Sequence, residues 1–326
     1  MIRSYAVGLT LGLLLAAAMP SLAEAQDYPQ RTVTFLCPFP AGGGTDILTR
    51  MLAQELQDKL KQPFIVENRP GAATILAAST VAKSAPDGYT LLLAPITTLA
   101  LNPNVYKSLP YDPVNDFIPV AMFGVQPSVL IAAPSKGWKS LADLIAAAKA
   151  NPGALNFASA GLGSASHWAA ERLKVAAGIN VQHIPFRGPV EAFTEVMTGR
   201  VDYYYLPIAP ALQPIRDGKV VALAVSTPKR APTLPEVPSV VEAGYPGAQY
   251  LFWGGVAATA KTPRAIVDKL HAETVKALAV PAVQERLATF GVEPMPMTVE
   301  AFGKFYRDDV AAIVKLARDV NIAATN

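Results

Sequence analysis

Apolar and polar positions along the chain follow two rhythms, and the switches between them lay out the elements. Residues 33–37 (VTFLC) form a mostly apolar run suited to a buried strand. Beyond a loop at 38–45, Leu48, Leu52, Leu56 and Leu60 recur at helical spacing, with Thr45 and Asp46 as the expected N-cap residues. Residues 63–67 read as a short strand ending in the turn Asn68-Arg69-Pro70-Gly71. An Ala-rich helix over 72–83 closes at Pro86-Asp87-Gly88, and 89–94 (YTLLLA) is another buried strand. Strand, helix, strand, helix, strand in this order predicts a βαβαβ unit on a parallel sheet. A loop-rich stretch over 103–119 follows, and the strands at 120–125 and 129–133 are expected to cross into a second lobe.

The pattern then restarts. A helix over 141–150 stops at Asn151-Pro152-Gly153, and a strand covers 155–158. A second Gly/Ser-rich loop, 159–164, leads into a helix over 165–176. Then come a strand at 179–184, a turn at 185–188, a helix at 190–198, a strand at 201–206 and a helix at 209–217. A long apolar strand over 220–226 is expected to return to the first lobe. Helices over 264–278, 283–290 and 299 to about 320 would pack back on it. The expected fold is α/β with a ligand cleft between two lobes: 26–125 with 226–326 form the first, and 126–225 the second. A chain of 326 residues is long for a single α/β core, which agrees with two lobes.

The N-terminus changes the picture. Arg3 supplies a positive start, 6–18 are compactly apolar, and Ala23-Glu24-Ala25 precedes Gln26, which predicts a signal peptide over 1–25 cleaved after Ala25. The apolar run falls short of the roughly 20 residues that span a bilayer. No cysteine stands near the cleavage point, so the expectation is a soluble periplasmic protein without a lipid anchor. Apolar residues make up 51% of the chain and charged ones 16%, which excludes disorder. A net charge of +3, with no run of like charges, gives no reason to expect nucleic acid. His167, His183, His271 and the single Cys37 are too few and too scattered for a zinc site. No metal or cofactor is expected.

The candidate chemistry lies in the glycine loops. Pro38-Phe39-Pro40-Ala41-Gly42-Gly43-Gly44 carries a buried strand into a helix start. Backbone N–H groups at the positive end of a helix dipole hold an anion, and glycines admit it closely. The alternative is a tight turn with no ligand. The run matches neither G-x-G-x-x-G nor the P-loop, because no basic residue follows until Arg50. Ile96 and Thr97 lie at the same carboxyl edge of the predicted sheet, where ligands bind in such folds. Facing each other across a cleft, the two loops would hold the two ends of a dianion.

Catalytic signatures are missing. No G-x-S-x-G, H-E-x-x-H, C-x-x-C or Walker pattern occurs. Ser164 and His167, three apart at a helix start, read as cap and first-turn residue rather than nucleophile and base. Tyr203 and Tyr205 share one strand face, for core packing or for ligand stacking. Arg187 is either a partner for a ligand carboxylate or a solvated turn arginine. Trp253 either lines the cleft or packs the lobes together.

Several stretches together carry a family resemblance. PFPAGGGTD at 38–46, ASAGLGS at 158–164 with His167 and Glu171, PFRG at 185–188, GRVD at 199–202, and ALAVS-x-x-KR with LPEVPSVVEAG over 222–244 occur in this order. In these the chain resembles the Bug family, the receptors of tripartite tricarboxylate transporters, over essentially its whole mature length. The resemblance implies a type II periplasmic-binding-protein fold that closes like a flytrap on a small carboxylate, a monomer without enzymatic activity, and membrane permease subunits as partners. It points to Phe39, Pro40, Ala41, Gly42, Gly43, Thr45 and Asp46 on the first loop. On the second it points to Ser159, Gly161, Gly163, Ser164 and His167. One position departs: many members end the strand at 201–206 in an Asp able to pair with a ligand amine, and this chain has Leu206. An amine-free di- or tricarboxylate, or an aromatic acid, is therefore expected, with Tyr205 and Leu206 on the opposite wall.

Overall fold

The computed structural model describes residues 28–320, so the expected signal peptide and its cleavage after Ala25 lie outside the described residues. Two five-stranded sheets organise the rest. In the first, β1 (Val33–Cys37) pairs parallel with β2 (Phe64–Asn68) on one side and β3 (Thr90–Pro95) on the other, as the βαβαβ pattern predicts. The connecting helix α1 (Gly44–Leu60) buries Leu48, Leu52 and Leu56 against this sheet. Each such leucine contributes about 1.5–3 kcal/mol when fully buried.

The helix expected over 72–83 is broken at its start. Ala72, Ala73 and Thr74 have φ of +43°, +48° and +79°, and the regular helix α2 spans Ile75–Ala82. Contacts distant in sequence hold this left-handed turn. Asn102 Nδ2 donates to the Ala73 carbonyl at 2.7 Å, and the Thr74 and Thr98 hydroxyls lie 2.7 Å apart. Asn102 itself opens the short helix α3 (Asn102–Val105).

The chain leaves the first sheet through β4 (Phe117–Gln126) and enters the second at β5 (Ser128–Ala132). The second sheet has the order β7-β6-β8-β5-β9, with β6 (Asn156–Ser159), β7 (Gln182–Pro185), β8 (Tyr203–Pro207) and β9 (Val221–Val225). Its helices are α4 (Leu141–Ala150), α5 (Ala165–Ala177), α6 (Pro189–Met197) and α7 (Ile208–Arg216). Here one expectation is corrected. The strand at 220–226 does not return to the first lobe, because β9 pairs antiparallel with β5 at the edge of the second sheet.

The return is made by β10 (Phe252–Thr259), which inserts antiparallel between β3 and β4. The sequence pattern assigns no strand here, since Gly254-Gly255 interrupts the apolar run. In the fold these glycines meet different needs. A Cβ on Gly255 would lie 2.7 Å from the Ala121 carbonyl oxygen and 2.6 Å from the Phe302 ring, whereas one on Gly254 would meet nothing. Three tail helices, α8 (Arg264–Leu278), α9 (Pro281–Thr289) and α10 (Val299–Asp319), pack on the first lobe. Among the described residues no helix is long and apolar enough to cross a membrane.

Candidate functional site

The first glycine loop is clamped from behind. The N-cap of α1 is Gly43, in extended conformation, so Thr45 and Asp46 sit in the first turn rather than at the cap. Asp46 is 2% exposed and its carboxylate reaches back into the loop. It accepts from the Gly42 N–H at 2.8 Å, from Arg50 Nε at 3.0 Å and from Asn68 Nδ2 at 2.7 Å. Asn68 Nδ2 also donates to the Phe39 carbonyl at 3.0 Å. Burial alone would raise this carboxyl's pKa, but the bonds from Arg50, Gly42 and Asn68 outweigh it and bring the pKa below the usual value. Gly42, at φ +81°, takes a backbone conformation that a side chain would strain. The Gly44 and Thr45 N–H groups lie in the first turn, where a helix offers no internal acceptor.

Those two residues open onto a cavity of about 450 Å³, within the size range of small-molecule pockets. Phe39 and Leu48 flank them, and Pro95 closes the end of β3. The floor comes from Phe123, Gly124 and Gln126 of β4 and from Trp253 and Gly254 of β10. Pro207, Ala209 and Pro210 bring in the second lobe, and Phe290 and Val292 close the cavity from the tail. No lining residue carries a charge. Gln126 is engaged, its Nε2 donating to the Phe290 carbonyl at 3.1 Å. Of its two readings Trp253 takes the cavity one: it lines the cavity and is fully buried, and its Nε1 donates at 2.7 Å to Asp309 of the tail helix that packs on its own lobe.

The remaining expected residues are placed as follows. Pro40, Ala41, Gly42 and Gly43 form the exposed tip of the first loop. Ile96 is fully buried in the core, and Thr97 opens a wide helical turn over Thr97–Leu101. Tyr205 and Leu206 are buried in the second lobe, and the residue after them, Pro207, is the one on the cavity wall. Arg187 is exposed, its N–H donating to Glu191. Gly44 stood in the glycine run expected to hold an anion, whereas Gln126, Gly254 and Phe290 were not legible as site residues, since nothing in their local sequence signals a shared cavity.

The second loop is built around two histidines. Ser164 caps α5, its Oγ accepting from the His167 N–H at 3.4 Å, and His167 Nδ1 accepts from the Gly163 N–H at 3.1 Å. His183, which sequence reasoning passed over, stacks on His167 with ring centroids 4.0 Å apart, and its Nε2 lies 2.6 Å from Ser159 Oγ. At Gly163 the loop approaches the first lobe, where a Cβ would fall 2.9 Å from Val105 Cγ2. Burial, the neighbouring His183 and Lys174 depress the His167 pKa to about 3. Burial and Lys174 depress that of His183 to about 4.

Both rings are thus neutral when folded, while an unfolded histidine takes its proton near pH 6.5. Between those values the unfolded chain binds more protons, so the two histidines make stability fall as pH drops from about 6.5 toward 3. Melting temperatures measured between pH 7.5 and 4.5 should decline less steeply in the double variant His167→Gln, His183→Gln than in the parent. Equal slopes would contradict this assignment.

Comparison with known proteins follows the same lines. Residues 48–322 match the family described as the tripartite tricarboxylate transporter family receptor. BugT of Bordetella pertussis is 35% identical over 311 residues, covering 95% of each chain. Among solved structures, the R. palustris protein with adipate superposes with a TM-score of 0.75 at 32% identity, over 92% of this chain and 100% of that one. MatC from Rhodopseudomonas palustris with bound malate gives a TM-score of 0.71 at 33% identity, over 89% of this chain and 100% of that one.

Proposed function

The chain belongs to the family of tripartite tricarboxylate transporter receptors, and on that premise we propose that it is a periplasmic receptor that closes on an amine-free organic carboxylate and delivers it to membrane permease subunits. One observation carries this reading: a cavity between the lobes that joins the Gly44–Thr45 helix start to a wall without any charged side chain. An anion there is held by backbone N–H groups and the helix dipole, each such contact contributing up to about 2 kcal/mol when partly buried. An ammonium group would find no carboxylate among the lining residues. On this reading Phe39 and Thr45 contact the acid, and the loop carrying Ser159, Gly161, Gly163 and Ser164 closes the second lobe onto the first beside Val105. Relatives solved with adipate and with malate support a carboxylate.

The side-chain geometry supports binding without chemistry. Ser159 and His183 have the distance of a nucleophile–base pair, but Ser159 is fully buried and its hydroxyl donates to the Gly161 carbonyl at 3.0 Å. Ser164 Oγ is occupied as a cap. The test is a thermal-shift and calorimetry screen of the mature protein, since a ligand at 100 times its Kd stabilises by about 2.7 kcal/mol. Amine-free organic acids should raise Tm, while glutamate and aspartate should not. Tight binding of glutamate or aspartate, with no amine-free acid bound, would sink the reading.

A further inference from the structure

The two glycine loops, which look alike in sequence, differ in which of them lines the cavity. In the second loop the Ala160 N–H donates to Ser166 Oγ at 3.0 Å and the Gly161 N–H to Ser159 Oγ at 3.1 Å. The Gly163 N–H donates to His167 Nδ1 at 3.1 Å and the Ser164 N–H to the Gly161 carbonyl at 3.2 Å. These four donors are occupied by the loop's own side chains and backbone. In the first loop the Gly42 N–H is taken, by Asp46. Each helix start keeps N–H groups with no acceptor among the described residues, Gly44 and Thr45 in the first and Ala165 and Ser166 in the second, but of these only Gly44 and Thr45 line the cavity.

The cavity repeats this asymmetry. At one end it has Gly44 and Thr45, and its remaining surface is dominated by Phe39, Phe123, Phe252, Trp253, Phe290 and several aliphatic and proline side chains. The Arg286 guanidinium lies over the Phe290 ring, 5.3 Å from its centroid, but is not among the lining residues. A carboxylate placed away from Gly44 and Thr45 would lose its hydration without gaining a charged partner, and burial of an unpaired charge is strongly unfavourable. An apolar body there is favoured by the area it removes from water.

Resting on the receptor reading above, we propose that the ligand is a monocarboxylate with a bulky apolar body: its carboxylate binds the Gly44–Thr45 helix start, and its ring or chain fills the space between Phe39, Phe123, Trp253 and Phe290. The second loop then acts as a closing wall rather than as a second anion site. This class departs from the dianion that two matching loops suggest in sequence and keeps, of the amine-free acids expected there, the side with a large apolar body.

Calorimetry on the mature protein tests it with two sets of probes: benzoate, phenylacetate, cyclohexanecarboxylate and octanoate against succinate, malate, adipate and citrate. At least one monocarboxylate should bind ten or more times tighter than every acid of the second set. Gly254→Leu, which extends a side chain into the cavity where a Cβ meets nothing, should weaken that binding by more than tenfold. Adipate or malate binding tighter than all four monocarboxylates overturns this inference and leaves the carboxylate receptor standing. Unchanged affinity in Gly254→Leu overturns the placement of the apolar body. Binding of neither set defeats the receptor reading along with it.

Discussion

Gly255→Ala is expected to lower the melting temperature by roughly 6–10 °C, the largest stability effect we predict. The added methyl would meet the Ala121 carbonyl oxygen at 2.7 Å and the Phe302 ring at 2.6 Å. The carbonyl belongs to β4, the strand that pairs with β10 on one side, and Phe302 is a fully buried core residue. Neither has room to move without disturbing the sheet that forms the cavity floor. Overpacking of this kind costs about 1–3 kcal/mol and sometimes more, and a backbone obstacle puts it at the upper end. Gly254→Ala is the matched control, one residue away with open space at its Cβ, and it should melt within about 1 °C of the parent. Equal melting temperatures for the two variants would refute the packing account of β10.

The second large effect falls on binding. Asp46→Ala removes the acceptor of three hydrogen bonds, from Gly42, Arg50 and Asn68. The bonds to charged groups contribute about 1.5–3 kcal/mol each, and Asn68 would keep only its bond to the Phe39 carbonyl. We expect a stability loss of about 2–3 kcal/mol, since Arg50 is exposed enough to be hydrated instead. The functional loss should be greater: with the clamp gone, loop 38–45 must be ordered by the ligand itself, and affinity for the best acid of the screen should fall at least tenfold. Hydrogen exchange at the Gly42 amide should accelerate in the same variant. Parent-like affinity and parent-like exchange at Gly42 would remove Asp46 from the site's support.

Most of the scaffold was legible because its signals are local. The apolar run at 33–37, the leucines of α1, and the helices at Leu141–Ala150 and Arg264–Leu278 each depend on neighbours within a few turns. The misplaced strand β9 and the unassigned strand β10 have the same origin. β9 and β10 are both apolar runs, and nothing within either run states which sheet it joins; β9 goes to β5, and β10 to β3 and β4. The left-handed turn at Ala72–Thr74 was invisible because its restraint comes from Asn102, 29 residues beyond the carbonyl it binds.

The residues by themselves determine where backbone N–H groups are left at helix starts: two glycine loops, each preceded by a buried strand and followed by a helix. That much is chain chemistry, set by the absence of Cβ atoms and by the spacing of leucines and alanines. Which donors earlier in each loop are taken, and which helix start meets the cavity, is settled by partners that folding brings in. Asp46 and Asn68, 22 residues apart, hold the first loop while leaving Gly44 and Thr45 available. His167, Ser159 and Ser166 occupy the donors of the second. Both helix starts keep N–H groups open, and of these only Gly44 and Thr45 line the cavity, because the packing of distant strands rather than the local sequence decides which loop meets it. On the proposal above, the first loop is the anion site and the second a closing wall.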